Sequence, residues 1–439
     1  TGSRHYHTGP LPTMPYSGRT IVALLDDNRL FPVDEAGRRI ARALYDSVKA
    51  LPIISPHGHT EPRWFAENQP FPDPAQLLVV PDHYIFRMLV SQGIGLADLG
   101  VPSADGSPVE TDGRKIWRRF AENYHLFRGT PTRLWLDDTF QNLFGLTARL
   151  SAETADQYYD HIAETLTEDD FRPRALFERF GVEVIATTES ALDDLAHHRA
   201  IRESGWRGRV VTTYRPDAVT DPDVPGFAEN LKAFADITGC DTGTFAGYLD
   251  AHRRRRAFFR DHGATATDHG HPTARTANLS FDAAAALYDR VKAGDGTAEE
   301  RELFRAQMLT ELARMSCEDG LVMQLHAGVH RNHNTAVFQA IGRDRGVDIP
   351  TQGAFVDARE NLERRLTGGA AYQRLVGMDN ALPNIHDRLE SHREIETQRV
   401  FICAITTVNY FITRFISCHS KPPEVAFNCL SFRRDHNAF

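Results

Sequence analysis

The sequence predicts an α/β fold in which parallel strands alternate with helices, as in a TIM-type (β/α)8 barrel. Three observations carry that expectation: short apolar β-branched runs recur along the chain, helix-like sequence separates them, and each run ends in polar residues. Strand, long helical connection, strand is the pattern of parallel βαβ units. A barrel gathers the C-terminal ends of its strands onto one face, which is where polar residues would build a site.

The elements follow in order. Residues 1–25 begin TGSRHYHTGP, lack the basic-then-apolar layout of a signal peptide, and are read as a cloning-derived tail outside the fold. FPVDEAGRRIARALYDSVKAL reads as a helix with Asp34 near its start and Ile40, Leu44 and Val48 on one face. It delivers the chain into LPIIS, the first strand. Between Glu61 and Phe180 the sequence is rich in aromatics and helix formers without a convincing strand, which predicts a helical insertion at about 61–180 over the barrel mouth. Further strands are expected at VEVIATT (182–188), RVVTTYR (209–215), ATATDH (264–269) and GLVMQLH (320–326). The barrel with its insertion is assigned to 26–357 and a divergent C-terminal segment to 358–439.

Composition narrows the function. The chain has 50 Lys and Arg against 59 Asp and Glu, a net charge of -9, which offers no global attraction for nucleic acid or an anionic membrane. The run Arg253 to Arg256 is read as a solvated helix surface. Five cysteines without a C-x-x-C pair signal neither a disulfide framework nor a zinc-thiolate site, so a reducing, cytoplasmic setting is expected. The apolar run Val400 to Ile416 contains Asn409 and Arg414 and falls short of the roughly 20 residues of a membrane span; it reads as a buried helix or strand pair. An acidic chain with 10% aromatic residues allows a homo-oligomer.

The sharpest local feature is His57-Gly58-His59 after LPIIS. Two residues apart on an extended chain, both imidazoles point to one side, where they can bind a single divalent ion; a structural histidine pair is the competing reading.

With this motif in place, the chain resembles the uronate isomerases (glucuronate isomerase family) of the amidohydrolase superfamily. The resemblance rests on I-I-S-P-H-G-H, D-H-Y-I-F-R (82–87), Y-R-P-D (214–217), T-D-H-G-H (267–271) and M-Q-L-H-A-G-V-H-R-N-H-N-T (323–335), and spans about 28–357. It implies a distorted barrel of the metal-dependent hydrolase type. The implied reaction interconverts D-glucuronate with D-fructuronate, and D-galacturonate with D-tagaturonate, through an enediol-like intermediate. His57 and His59 match the family's metal ligands, and ligand type points to Zn2+.

Tyr84 matches the position of a proton donor or acceptor, with His83 and Arg87 as substrate-binding neighbours. Asp82 and Arg87 also fit a plain helix cap with a solvated arginine. Arg215 ends a strand and suits a substrate carboxylate, although Arg-Pro-Asp is also a plausible turn with an internal ion pair. Asp268 and His269 fit acid/base or orienting roles, or a structural network. His326 and Arg331 are expected in the substrate site, with Asn332 and Asn334 as loop builders.

The family pattern breaks after about Asp357. A Trp-Trp-Phe segment is missing, and the acidic ligand of a late strand has Asp379, in RLVGMDN, as its nearest candidate, with Asp387 behind it. Two other readings stay open: a metal-dependent hydrolase on the same barrel, and a non-catalytic remnant. None of the five lysines ends a strand-like run, which disfavours a hydrolase site built on a modified lysine.

Overall fold

The computed structural model describes residues 24–343, 345–351 and 375–377. Asp379, Asp387, the run Val400 to Ile416 and nearly all of the segment 358–439 lie outside the described residues. The expected tail ends slightly earlier than residue 25, since Leu25 is already buried.

Each apolar run forms a strand. They are β1 (Ile53–Ser55), β2 (Val182–Ala186), β3 (Glu189–Ser190), β4 (Arg209–Val211), β5 (Thr213–Arg215), β6 (Ala266–His269) and β7 (Val322–Leu325), followed by a short β8 (Val329–His330), β9 (Ile349–Pro350) and β10 (Leu375–Gly377). Strands β1, β2 and β4 pair in parallel, as do β10, β7, β6, β5 and β3. The two sheets are continuous through their shared chains: Thr187 N–H donates to Val211 O between β2/β4 and β3/β5. The result is one parallel array in the order β1, β2/β3, β4/β5, β6, β7, β10. The strand-like run before Asp379 takes its place beside β7, with Leu375 opposite Met323.

The first helix, Glu35–Val48, starts at Asp34, whose carboxylate accepts from Gly37 N. Its apolar stripe is exposed among the described residues, with Ile40 at 60% and Leu44 at 44%. Between Pro62 and Arg179 every regular element is helical. These helices share an aromatic core built on Trp117, Phe120, Tyr124, Phe127, Phe140 and Tyr158, continuous with Val182 and Ile185 of β2. A second core packs the later strands against the helices from Phe227 to Asp319 through Tyr214, Tyr248, Tyr288, Phe304 and Met323. Covering parallel strands with helices buries the apolar surface of both.

The arginine run departs from expectation. It lies on the helix Phe245–Asp261, where Arg253 and Arg254 face out while Arg255 and Arg256 are buried. Arg255 donates to the carbonyls of Ala191 and Asp193, and Arg256 makes a two-pronged pair with Asp319 at 2.6 and 2.9 Å. A turn of about 100° per residue carries half of any four-residue run inward, and these partners satisfy the charge there.

Candidate active site

The polar ends of the strands meet at Asp268. Strand alternation sends Asp268 and His269 to opposite faces of β6. The Asp268 carboxylate is fully buried. Its Oδ1 lies 2.9 Å from His326 Nε2 and 3.6 Å from His57 Nδ1, and its Oδ2 lies 3.4 Å from Arg215 Nη1. These partners come from the ends of β7, β1 and β5, so the array curls far enough to bring the residue after its first strand to its fourth and fifth.

Burial by itself pushes the Asp268 carboxyl up, but His326, His57 and Arg215 together hold it well below the usual carboxylate range. Neither carboxylate oxygen has an aligned hydrogen-bond donor, and His326 Nε2 is likewise unsatisfied. Buried polar atoms are normally paired by hydrogen bonds, whereas this cluster is held by charge.

His57 and His59 are brought together as their spacing predicts. Their Nε2 atoms lie 3.3 Å apart, and their rings meet edge-on. Thr188, between β2 and β3, donates to the carbonyl of Gly58 at 2.7 Å and holds the turn from the neighbouring strand. His57, Asp268 and His326 each place one donor atom within 4.8 Å of the others, the set among the described residues that could hold a metal ion. Converging imidazole nitrogens beside an unsatisfied buried carboxylate match the donor chemistry of a divalent ion.

Arg215 combines both expected roles. Its Nε donates to Asp217 Oδ2 at 2.7 Å, the internal pair of the Arg-Pro-Asp turn, while Nη1 faces Asp268. Asp217 in turn accepts from Gly270 N at 3.2 Å.

The D-H-Y motif begins the helix His83–Val90, and Asp82 caps it by accepting from Tyr84 N and Ile85 N. The cap therefore sets the place of His83 and Tyr84 on the first turn. Arg87 lies over the Tyr84 ring at 4.9 Å and donates to Gly346 O at 3.4 Å. Arg331, in the turn after β8, faces Asp348 at 3.9 Å on the same 345–348 loop. Asn332 takes a left-handed conformation and Asn334 caps the next helix, as loop builders would.

Of the two readings open for His269, its surroundings are those of a structural network. It lies on the face of β6 opposite Asp268, fully buried, with Nε2 2.9 Å from the Thr267 hydroxyl. Burial, reinforced by His271, keeps its imidazole well below its ordinary value and therefore neutral. Sequence reasoning also passed over Gln324, which contacts His57. Its signal was the two-residue spacing from His326, which puts both on one face of the strand end.

Comparison with known proteins gives this geometry its context. A family profile described as glucuronate isomerase matches residues 33–375. The chain belongs to the glucuronate isomerase family. A uronate isomerase of Mesorhizobium japonicum is 64% identical over 353 residues, covering 79% of this chain and 75% of the relative. One from Rhizobium meliloti is 63% identical over 350 residues, covering 78% and 75%. The crystal structure of glucuronate isomerase from Caulobacter crescentus aligns with a TM-score of 0.79 at 52% identity, covering 82% of this chain and 75% of that one. The family match thus runs to β10, beyond the point near Asp357 where the motifs stop being recognisable. Among the described residues no helix is long and apolar enough to cross a membrane.

Proposed function

We propose that this protein interconverts hexuronate aldoses and ketoses, D-glucuronate with D-fructuronate and D-galacturonate with D-tagaturonate. The observation that carries the proposal is the convergence of His57, Arg215 and His326 on the unsatisfied, buried Asp268 in a chain of the glucuronate isomerase family. The curled parallel array supports a distorted (β/α)8 barrel, with the helical segment over its mouth. His57 and His59 hold a divalent metal, zinc by the nitrogen character of the donors, and Asp379 after β10 is the proposed acidic ligand.

When bound, that ion polarises the carbonyl and the neighbouring hydroxyl and lowers the cost of an enediol-like intermediate. The rest of the chemistry belongs to side chains. Isomerisation moves one proton from C2 to C1 and another from the O2 hydroxyl to O1. The Asp268–His326 pair, 2.9 Å apart, is suited to carry the hydroxyl proton, because a carboxylate beside an imidazole can accept on one side and donate on the other. Tyr84 presents a phenol for the carbon proton, steadied by Arg87 and by the Asp82 cap, with His83 beside it. Arg215 anchors the substrate carboxylate with the planar fork of its guanidinium, assisted by Arg331. His269 supports β6 from behind.

The test is a coupled isomerase assay with D-glucuronate and D-galacturonate, with and without chelator and added zinc. Turnover that chelator abolishes and zinc restores is the expected result. A folded, metal-replete protein without turnover overturns the proposal.

A further inference from the structure

We infer that Gln324 is a positioning residue that fixes which ring nitrogen of His57 faces the metal; this rests on the reading of His57 and His59 as ligands. Gln324 lies on β7 and is only 5% exposed. Its Nε2 donates to the carbonyl of Pro56 at 2.9 Å, and its Oε1 lies 3.0 Å from His57 Nδ1.

Valence settles the direction of each bond. A proline carbonyl only accepts, so the amide NH2 must face Pro56 and the amide oxygen must face His57. That oxygen also only accepts, so Nδ1 of His57 carries the proton. A neutral imidazole has one N–H, so the lone pair sits on Nε2, the atom that lies 3.3 Å from His59 Nε2. The opposite tautomer would set the Nδ1 lone pair against the Gln324 amide oxygen.

Gln324 therefore does two things with one side chain. It pins the chain just before His57 through Pro56, and it aims the His57 lone pair at His59. Thr188 holds the middle of the same turn through Gly58. The His57 half of the chelate is preset before any ion arrives, which lowers the cost of ordering it.

The test is zinc affinity of the full chain, measured by competition with a chromogenic chelator. Gln324→Met removes both hydrogen bonds at similar volume, and affinity is expected to fall about 10- to 100-fold. Gln324→Glu keeps an oxygen facing Nδ1 while losing the bond to Pro56, so affinity is expected to fall clearly less than in Gln324→Met. Full affinity in Gln324→Met, or equal losses in both variants, overturns the inference; equal losses would reduce Gln324 to a support for Pro56. The metal-free parent, labelled with 15N-histidine and assigned against His57→Gln, gives a readout independent of variant folding. A protonated Nδ1 and unprotonated Nε2 on His57 are expected, and the reverse overturns the inference. If His57→Ala keeps its zinc, the ligand reading itself fails. If His57→Ala loses zinc while Gln324→Met keeps it, only the role of Gln324 fails.

Discussion

The helical segment and the strand ends bury polar groups in opposite ways. In the helical core, Trp117 donates to Ala155 O at 3.0 Å, Tyr124 donates to Asp137 at 2.9 Å, and Tyr158 donates to Ala148 O. Each aromatic body is packed and each polar tip is satisfied, so the region contributes stability with nothing left over. At the strand ends, both Asp268 oxygens and His326 Nε2 are buried without aligned partners. Charge from His326, His57 and Arg215, rather than aligned donors, holds the Asp268 carboxylate there. A fold tolerates that where the groups are kept for a ligand, so the contrast separates scaffold from site.

Four substitutions can break or sharpen that contrast. Asp268→Asn should lower kcat/KM about 10³-fold or more in the coupled assay, a far larger effect than its loss of stability. A large loss of stability with modest loss of activity would make Asp268 a structural residue. Phe120→Ala should do the reverse. It empties a fully buried position and should cost about 3–5 kcal/mol in urea unfolding, with zinc affinity unchanged.

Glu189→Gln probes the boundary, where β3 meets the helix Ala196–Glu203. Burial, opposed by hydrogen bonds from Thr212 and Thr187, pushes the Glu189 carboxyl up to about 7. The folded chain therefore holds this proton more tightly than the unfolded one. Its stabilising contribution is complete below the unfolded value of 4.5 and is lost as pH rises through about 7. The glutamine variant should match the parent in acid and exceed it by about 3 kcal/mol above neutrality, read from urea midpoints at the two extremes. Equal midpoints at both would show that the carboxyl is not buried. Tyr124→Phe should have the smallest effect, about 1 kcal/mol, because Asp137 keeps its 2.7 Å pair with Arg133. A much larger loss in urea unfolding would show that the aromatic core depends on the Tyr124 hydroxyl.

Much of this architecture was legible in the chain because its local signals agree. Ile53, Val184, Val210 and Met323 sit in short apolar runs whose length and flanks suit buried parallel strands, and all became strands. His57, Arg215, Asp268 and His326 were legible for a related reason: each stands at or just beyond the end of such a run. Gln324 was legible only through its spacing from His326, since a carboxamide names no role until its partners are known. For His269 the chain left a site role and a structural network both open, and adjacency in sequence, which means opposite faces in a strand, sets it apart from Asp268. Arg255 and Arg256 were misread because a charged run looks solvated until buried carbonyls and Asp319 appear opposite it. The stripe of Ile40 and Leu44 had the right period, but period says which residues share a face and not what covers it.

His57 and Gln324, the pair that presets the histidine turn, are 267 residues apart in sequence. Phe120 and Tyr124 are neighbours on successive turns, their rings 5.3 Å apart. Contacts of the second kind form while the chain is still largely open; contacts of the first kind wait until the loop between them has closed. On the proposed reading of His57 and His59, the candidate metal site thus depends on a contact that closes a long loop. A chain in which that loop has not closed lacks the Gln324 support for His57.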